Sequence, residues 1–600
     1  MNHVEHAKGR VVRVAGPVIG VTGLEAARLH DVVRIGALGL IGEIIQINSD
    51  EIMVQVYEDT SGVRVGEPVQ ETGHPLVATL GPGLLGRVYD GLQRPLVDLA
   101  RQSGEFIQRG VNAAPLPEDI RWRFIPLARP GDRLGPGDMI GEVKETQTIT
   151  HRILVPPGVS GRVLHVASGD LRVTDTAAVL EPPDGLKPVN LTLAQRWPIR
   201  QPRPVHSRIE GQQPLVTGTR IIDAFFPIAR GGAAIIPGGF GTGKTVLQHT
   251  LARWADADIV VYVGCGERGN EMAEVLDEFP MLEDPRTGRP LMERTVLIAN
   301  TSNMPVAARE ASIYMGITIA EYYRDMGLDV LMLADSTSRW GEALREISGR
   351  LEELPGEEGY PAYLSTRLSE FYERAGSVFC LGSGSARTGE DRRRGSVSIV
   401  GAISPPGADF SEPITQSSMR VTGTFWALDY DLSRRRHFPS INWTSSYSLY
   451  DLRRWFGEHV DPEWGPLVDE AVALLQREVE LLEIVQLVGP DSLPDSDRAA
   501  LAAAQMLRED FLQQSSYHLV DRFCTLDKTF MMLRAIMTFH HCAQEALQQG
   551  VSLSQVVEQP VLQELARMKE LPCDQAAGAI RELIDRIQLS FAEIGAAVHD

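Results

Sequence analysis

One glycine-rich segment has the residue types and the spacing of a phosphate-binding loop. Residues 238–245 read G-x-x-x-x-G-K-T; an apolar run, 233–236, precedes them and a helical pattern, 246–253, follows. Strand, glycine-rich turn and helix are the context that this motif requires. Glycines let backbone N–H groups surround a phosphate chain, and the start of the helix adds its positive dipole end. A turn that only joins strand to helix is the alternative interpretation, and the lysine and threonine that end the motif count against it.

Two side chains of this P-loop are suited to phosphate and metal. Lys244 supplies a mobile cation for the outer phosphates, and the Thr245 hydroxyl can take a position around Mg²⁺. The residues that we expect to contact the nucleotide phosphates are consecutive: Gly238, Gly239, Phe240, Gly241, Thr242, Gly243, Lys244, Thr245 and Val246.

Acidic and basic side chains follow the apolar strands predicted after this loop. Asp335 closes the apolar run 330–334, and a carboxylate there typically holds Mg²⁺ through water. Glu267 ends the strand after the P-loop helix, at the sheet edge where ligands bind. Glu267 is therefore a candidate to polarise an attacking water, and Arg268 and Arg339 are candidates to stabilise charge on a γ-phosphate. An exposed Glu–Arg pair without a catalytic role is the alternative interpretation.

Two aromatic residues are candidates to stack on adenine. Phe438 lies in the segment 436–443, and Tyr517 lies far along the helical region. Aromatic side chains belong to the core more often than to a ligand site, so a core position is the alternative for both.

The overall charge is acidic, −21 from 58 basic and 79 acidic residues. A general nucleic-acid-binding protein presents a basic face, so the composition argues against that class. No run approaches the roughly 18 apolar residues of a membrane-spanning helix, and the first residues lack a signal-peptide pattern. We therefore expect a cytoplasmic protein, which can still dock on a membrane complex.

The 600 residues exceed the size of one hydrophobic core, and four regions differ in pattern. Residues 1–76 form short alternating runs, which predict an N-terminal β-barrel. Residues 77–200, rich in proline and glycine, predict a linker and a β-rich insertion. Residues 201–450 alternate strands with helices and predict an α/β nucleotide-binding domain. Residues 451–600 predict a helical domain, in which the segment 495–497 can cap a helix.

Five segments together resemble the catalytic A subunit of V/A-type rotary ATPases. They are residues 238–245, 266–271, 300–310, 335–340 and 355–361. The resemblance covers nearly the whole chain. It implies a multidomain fold with an N-terminal β-barrel, a β-rich bulge insertion that F-type β subunits lack, a RecA-like α/β P-loop domain and a C-terminal helical domain. It also implies a catalytic subunit that hydrolyses or synthesises ATP with Mg²⁺ and couples this reaction to H⁺ or Na⁺ transport across a membrane.

The resemblance assigns binding roles to five of the candidate residues. Lys244 matches the phosphate lysine, Thr245 the Mg²⁺ ligand and Asp335 the metal-linked aspartate. Phe438 and Tyr517 fall where aromatic residues sandwich adenine.

Catalytic roles follow in the same way. Glu267 matches the catalytic glutamate, Arg268 the arginine beside it and Arg339 an arginine near the phosphates. The resemblance implies that the arginine finger comes from a neighbouring B subunit, so that this chain lacks it.

The partners implied by the resemblance are other proteins of the same complex. Three A and three B subunits alternate in a ring around a rotating central stalk, and peripheral stalks are reached through the N-terminal and bulge regions. The membrane ion-translocating sector is reached only indirectly, and no nucleic acid is involved. The location implied is cytoplasmic and peripheral to the membrane.

The sequence departs from the family pattern at two places. Thr242 stands where eukaryotic relatives carry a cysteine, so redox control through a P-loop thiol is not expected. The segment 382–394 is longer than usual, and its glycine, serine and arginine content predicts a flexible surface loop.

Three other functions share parts of this pattern. A flagellar or secretion-type ATPase has the same core but lacks the bulge insertion. A RecA-like helicase needs a nucleic-acid path, which the acidic charge disfavours. A non-catalytic member of the same ring should lack the P-loop lysine and Glu267, and this chain has both.

Overall fold

The computed structural model describes residues 8–104, 107–183, 185–383 and 392–599. These residues form two compact units that interleave along the chain. The first unit comprises Met1–Glu210, Arg230–Ala233 and Ala257–Thr422, and the second comprises Gly211–Ala229, Ala234–Asp256 and Gly423–Asp600.

The first unit begins with a closed six-stranded barrel, in which neighbouring strands are antiparallel in the order β1-β2-β5-β4-β3-β6. The strands are β1 (Lys8–Ala15), β2 (Val18–Thr22), β3 (Asp31–Ile35), β4 (Leu40–Ile47), β5 (Ile52–Val56) and β6 (Pro68–Pro75). Val33, Ile44, Val54 and Val69 are fully buried and belong to the core of the barrel. The predicted N-terminal β-barrel is confirmed.

The β-rich insertion follows as two four-stranded antiparallel sheets, with strand orders β10-β13-β15-β16 and β12-β11-β9-β14. The elements up to its end are β7 (Val77–Leu80), β8 (Val88–Tyr89), α1 (Leu96–Ser103), β9 (Trp122–Pro126), β10 (Arg133–Leu134), β11 (Met139–Lys144), β12 (Thr150–Leu154), β13 (Gly161–Val166), β14 (Gly169–Leu171), β15 (Thr176–Glu181) and β16 (Val189–Thr192). The sheets enclose an apolar core of their own. Strand β17 (Gln195–Pro198) then pairs with β7, and β18 (Ser207–Ile209) follows.

The P-loop lies between a strand and a helix, as the motif predicted. Helix α2 (Arg220–Phe225) comes first, β19 (Ala233–Pro237) leads into the loop and α3 (Lys244–Trp254) follows it. Gly241 and Gly243 have φ angles of 77° and 93°. Only glycine adopts that left-handed region without cost, so these two positions give the loop its turn.

A mainly parallel sheet completes the first unit, with the order β24-β22-β20-β21-β8; β23 is antiparallel to β24 and pairs with β18. Its elements are β20 (Ile259–Glu267), α4 (Gly269–Glu278), β21 (Thr295–Thr301), α5 (Val306–Asp325), β22 (Asp329–Asp335), α6 (Thr337–Arg350), α7 (Leu364–Tyr372), β23 (Gly376–Phe379), β24 (Arg394–Ile403) and α8 (Pro413–Met419). The middle of β20, β21 and β22 is apolar, because parallel sheets are covered on both faces. Of the segment 382–394, residues 384–391 lie outside the described residues.

Helices dominate the second unit after a short three-stranded edge. Strand β25 pairs in parallel with β19 and antiparallel with β26. The elements are β25 (Thr424–Phe425), α9 (Tyr430–Arg434), β26 (Tyr447–Ser448), α10 (Arg453–His459), α11 (Trp464–Val488), α12 (Asp495–Met506), α13 (Leu526–Gln548), α14 (Leu553–Val557), α15 (Val561–Arg567) and α16 (Cys573–His599). Among the described residues, no helix has both the length and the apolar composition that a membrane span requires.

The predicted cap of α12 is wrong. The residue at the N-cap is Pro494, and no side chain there accepts a capping hydrogen bond. Asp495 and Asp497 lie inside the first turn instead, where their charges still favour the positive end of the helix dipole.

Arg220 ties α2 to the C-terminal helices within the second unit. Its side chain is fully buried. The guanidinium donates to Asp521 at 2.6 Å and to the carbonyl oxygens of Phe511 at 2.6 Å and Gln513 at 2.7 Å. Its backbone N–H donates to the Gln514 side chain at 2.8 Å. One buried cation therefore fixes the segment around residues 511–521.

We predict that Arg220→Ala destabilises the second unit by about 3–5 kcal/mol, because it leaves a buried carboxylate and two carbonyl oxygens without their donor. Hydrogen exchange of the α13 amides in increasing urea measures this loss. Arg453→Ala is the control, since the Arg453–Asp469 pair is exposed and should contribute less than about 1 kcal/mol. Equal protection in the two variants would contradict the role of Arg220.

Candidate functional site

A cavity of about 550 Å³ opens beside the P-loop helix, wholly within the second unit. This volume is within the range of small-molecule sites. Four segments and two single residues contribute its lining, namely Thr242, Gly243, Val246, Leu247 and Thr250; Arg436, Phe438, Pro439 and Ser440; Gln513, Gln514, Ser515, Ser516, Tyr517, His518, Asp521 and Arg522; Lys569 and Glu570; and Thr219 and Leu428. The cavity therefore combines the helix start with two aromatic side chains and several polar groups.

Phe438 and Tyr517 both line this cavity, and neither is a core residue. Phe438 is 40% exposed and Tyr517 is 85% exposed. The alternative interpretation, that both belong to the core, is wrong. Two hydrogen bonds hold the segment around Phe438: the Ser440 hydroxyl donates to the Thr242 carbonyl at 2.6 Å, and the Gln514 backbone N–H donates to the Phe438 carbonyl at 2.7 Å. The aromatic wall is thus bonded both to the P-loop and to the segment that carries Tyr517.

The P-loop is internally hydrogen-bonded. The Lys244 ammonium donates to the carbonyl oxygens of Gly238 at 2.7 Å and Gly239 at 2.8 Å. The Thr242 hydroxyl donates to the same Gly239 oxygen at 2.8 Å. A Cβ on Gly238 would lie 2.6 Å from that hydroxyl oxygen, so only glycine fits there. Phe240, in contrast, is 74% exposed at the loop tip.

Glu267 and Asp335 end neighbouring parallel strands of the first unit, β20 and β22, whose register brings the two strand ends together. The Tyr262 hydroxyl donates to Asp335 at 2.9 Å. Burial, the negative charge of Asp335, and the hydrogen bond and charge of Glu271 raise the pKa of Glu267 to about 8, and the positive charge of Arg339 opposes this only in part. Glu267 is therefore a carboxylate poised to hold a proton near neutral pH.

The two predicted arginines differ in their surroundings. Arg339, on α6, donates to Glu342 at 2.9 Å, and this hydrogen bond raises its pKa although burial works against it. The side chain of Arg268 is 56% exposed and lies 4.0 Å from Glu271. In this structure Arg268 thus forms an exposed Glu–Arg ion pair, as the alternative interpretation expects, and its partner is Glu271.

Arg309 is a site residue that the sequence analysis missed. It lies in the first turn of α5, and only 8% of it is exposed. A Cβ on Gly266 would lie 2.8 Å from the Arg309 side chain and 2.9 Å from Arg339, so glycine lets both arginines approach the strand end before Glu267. The Arg309 guanidinium donates to the Ser302 carbonyl at 2.9 Å, and its Nε finds no hydrogen-bond partner among the described residues. The only sequence signal was its place in the segment 300–310.

The oxygen ligands that the predicted residues offer suit a metal ion whose other ligands are mostly phosphate oxygens and water molecules. Among the described residues, no group of three His, Cys, Asp or Glu side chains could hold a metal ion by itself. Mg²⁺ at phosphate sites is usually bound through one or two protein oxygens. The carboxylate of Asp335, which is 4% exposed, and the hydroxyl of Thr245 in the first turn of α3 have the right chemistry.

The structure thus gathers the predicted residues in two places. In the second unit, Thr242, Gly243, Val246, Phe438 and Tyr517 line one cavity, to which Arg436, His518, Lys569 and Glu570 are additions without any sequence motif. In the first unit, Glu267 interacts electrostatically with both Asp335 and Arg339.

Comparison with known proteins agrees with this organisation. Residues 218–448 match the ATP synthase alpha/beta family, nucleotide-binding domain, and residues 453–557 match the C-terminal domain of V and A type ATP synthase. Residues 113–200 match the barrel-sandwich domain of the ATP synthase alpha/beta subunits, and residues 11–73 match the beta-barrel domain of the same family.

Three similar proteins are A subunits of A-type ATP synthases. The A subunit of the Methanopyrus kandleri A-type ATP synthase is 55% identical over 590 residues, 98% of each chain. The Thermococcus kodakarensis protein of the same name is 54% identical over 98% of this chain and 99% of its own. The second A subunit of the Methanospirillum hungatei A-type ATP synthase is 56% identical over 94% of each chain. Because these proteins are 54–56% identical to the chain over nearly its whole length, the chain belongs to the family of A-type ATP synthase A subunits.

Proposed function

We propose that this chain is the catalytic subunit of a V/A-type rotary ATPase, which hydrolyses or synthesises ATP and couples that reaction to H⁺ or Na⁺ transport. The observation that carries the proposal is the parallel pairing of β20 and β22, which brings Glu267 and Asp335 together at adjacent strand ends, in a chain whose P-loop lysine is present. A non-catalytic nucleotide-binding protein of the ring needs no carboxylate poised in this way.

Nucleotide binding is assigned to the second unit. Stacking between a base and an aromatic side chain contributes about 1–3 kcal/mol per base, and Phe438 and Tyr517 offer such faces in the cavity. The residues Gly238, Gly239, Phe240, Gly241, Thr242, Gly243, Lys244, Thr245 and Val246 bind the phosphates through their N–H groups, the Lys244 ammonium and the α3 N-terminus. The hydrogen bonds of Lys244 to Gly238 and Gly239 are exchanged for phosphate oxygens.

Hydrolysis is assigned to the acidic strand ends of the first unit. Glu267 orients a water and accepts its proton while the water oxygen bonds to the γ-phosphorus and the bond to the β–γ bridging oxygen breaks, which releases ADP and phosphate. Arg339 and Arg309 stabilise the charge on the phosphoryl oxygens, and Arg268 joins them when it leaves Glu271. Synthesis is the reverse of these steps.

Thr245 and Asp335 are the residues that hold Mg²⁺ in this proposal. The ion, when bound, neutralises charge on the β- and γ-phosphate oxygens. The hydrogen bond from Tyr262 to Asp335 fixes the orientation of that carboxylate.

We predict that Glu267→Gln lowers ATP turnover by roughly 10² or more, because an amide cannot accept the proton of water, while nucleotide affinity stays within about tenfold. Turnover is measured in the assembled complex, and affinity is measured by calorimetry with ADP. Equal losses in turnover and in affinity would contradict the assignment.

Two controls sharpen this test. Glu274→Gln changes an exposed carboxylate on the helix that follows Glu267 and should leave turnover unchanged. Below its pKa of about 8 Glu267 is protonated and cannot act as a base, so kcat/KM of the parent should rise as the pH passes upward through that value. The variant should lack this rise.

The partners are proposed from the family. The chain is one member of a multisubunit ATP synthase complex, and we propose an alternating ring of three A and three B subunits in which the B subunit supplies the arginine finger. Central-stalk rotor subunits, peripheral stalks at the barrel and bulge, and an indirectly coupled membrane sector complete the assembly, without nucleic acid. The proposed location is the cytoplasmic face of the membrane.

We predict that the purified chain hydrolyses ATP slowly and that addition of the B subunit raises the rate by about 10³ or more, the usual contribution of an arginine finger. Steady-state phosphate release at increasing B-subunit concentration measures this effect. Full-rate hydrolysis by a chain shown to be monomeric by light scattering would refute the shared site.

A further inference from the structure

Arg200 joins two carboxylates that come from different parts of the first unit. Its Nε and Nη2 atoms donate to the two oxygens of Glu43 at 2.8 and 2.9 Å. Its Nη1 and Nη2 atoms donate to the two oxygens of Glu310 at 2.8 and 2.7 Å. Both contacts are bidentate, the arrangement in which a guanidinium binds a carboxylate most specifically. The side chains of Glu43 and Glu310 are 1% and 5% exposed, so these hydrogen bonds are largely shielded from water.

Glu43 is a fixed anchor for Arg200. It lies on β4 of the barrel, where the Tyr57 hydroxyl donates to its carboxylate and His30 Nδ1 is in hydrogen-bond contact with it at 2.9 Å. Burial would raise the pKa of Glu43, but the charge of Arg200 and these hydrogen bonds hold it well below its ordinary value. Glu43 therefore stays ionised, and the barrel presents a fixed negative charge to Arg200.

The other end of this bridge lies at the start of α5, which has no capping side chain. The N-cap is Pro305, and no side chain there accepts a capping hydrogen bond. An uncapped helix start leaves backbone N–H groups unsatisfied and tends to fray. Arg200 binds Glu310 and also lies 5.0 Å from the ring centroid of Tyr314, four residues further along the same face of the helix. Arg200 therefore holds the beginning of α5 through two side chains.

Arg309 immediately precedes Glu310 in α5, about 100° around the helix axis. Its side chain approaches the strand end, because a Cβ on Gly266 would lie 2.8 Å from it. Its guanidinium donates to the Ser302 carbonyl at 2.9 Å, and its Nε has no hydrogen-bond partner among the described residues. Neighbouring side chains of a helix keep a fixed angle to each other. The rotation that Arg200 imposes at Glu310 therefore also sets the direction of Arg309.

We propose that Arg200 is a positioning residue for ATP hydrolysis, which holds Glu310 against the barrel and thereby keeps Arg309 at the acidic strand end. This inference rests on the proposed function, in which Arg309 stabilises charge on the phosphoryl oxygens. A misplacement of about 1 Å in a reacting group can lower the rate by about 10²-fold, even when the change that causes it is remote. Arg200 acts only through Glu310 and Arg309.

Arg203 provides a matched control at the other end of the same helix. It lies three residues after Arg200, its side chain is 2% exposed, and its Nε donates at 2.7 Å to Asp325, the last residue of α5. Sixteen residues separate Asp325 from Arg309, which corresponds to about 24 Å along a helix axis. Arg203→Gln thus removes a buried cation from α5, as Arg200→Gln does, but far from Arg309. An effect that comes from lost stability alone should appear in both variants.

The first test measures kcat of ATP hydrolysis in the assembled complex and ADP affinity by calorimetry. We expect Arg200→Gln to lower kcat about tenfold or more while ADP affinity stays within about twofold, because no residue of this bridge lines the cavity beside the P-loop. Arg200→Lys keeps the buried cation but not both bidentate contacts, so its kcat should lie between those of Arg200→Gln and the parent. Arg203→Gln should keep kcat within about twofold of the parent.

A double-mutant cycle tests whether Arg200 acts through Arg309. Arg309→Ala should lower kcat, and Arg200→Gln in that background should lower it no further. The inference is overturned if the two losses add, if Arg309→Ala leaves kcat unchanged, or if Arg200→Gln has the kcat of the parent. It is also overturned if Arg200→Gln and Arg203→Gln lose kcat equally.

Hydrogen exchange of the ADP-bound chain gives a measurement that does not depend on turnover. The amides of residues 309–314 should exchange faster in Arg200→Gln than in the parent, and Arg203→Gln should leave them unchanged. Equal protection of these amides in the parent and Arg200→Gln overturns the inference. The proposed function fails separately, through normal turnover in Glu267→Gln, a variant in which the bridge is intact.

Discussion

Two carboxylates at adjacent strand ends of the first unit repel each other, and the groups around them respond to that repulsion. Glu267 and Asp335 end β20 and β22, which are paired in parallel register. Because both are withdrawn from water, their charges are poorly screened, and the pKa of Glu267 rises to about 8. Arg309 and Arg339 approach the same strand end, where Gly266 leaves room for both of them. The parallel sheet supplies the fixed spacing that this balance requires.

In the proposed account the second unit binds the nucleotide, so it has to present hydrogen-bond donors to the phosphates rather than a catalytic base. Glycines with left-handed backbone form the turn before α3, and Arg220 holds the segment that includes Gln513, Gln514 and Asp521, all of which line the cavity. This part of the cavity wall is therefore held in place by a buried cation that does not itself line the cavity. We therefore propose that binding and chemistry belong to different residues, in different compact units of the chain.

Much of the fold was predictable from local pattern, and the sites were predictable only where spacing is fixed by chemistry. The P-loop and the apolar strand ending at Asp335 follow from motif and hydrophobic runs. Phe438 and Tyr517 were candidates by residue type, and only the family resemblance preferred them to a core position, because stacking imposes no spacing on a sequence. Arg309 was missed because a buried arginine inside a helix resembles any polar helix residue until its neighbours are known. The cap at residues 495–497 was wrong because Pro494 took the N-cap position and left the aspartates inside the first turn.

The most direct test of the account compares ADP affinity, by calorimetry, in the parent chain, in the double variant Phe438→Ala/Tyr517→Ala and in Glu267→Gln. If the second unit binds the nucleotide and the first performs the chemistry, the double variant should bind ADP about 30-fold or more weakly, because two base-stacking faces are lost. Glu267→Gln should bind ADP nearly as the parent does. An unchanged affinity in the double variant, or an equal loss in both, would contradict the account.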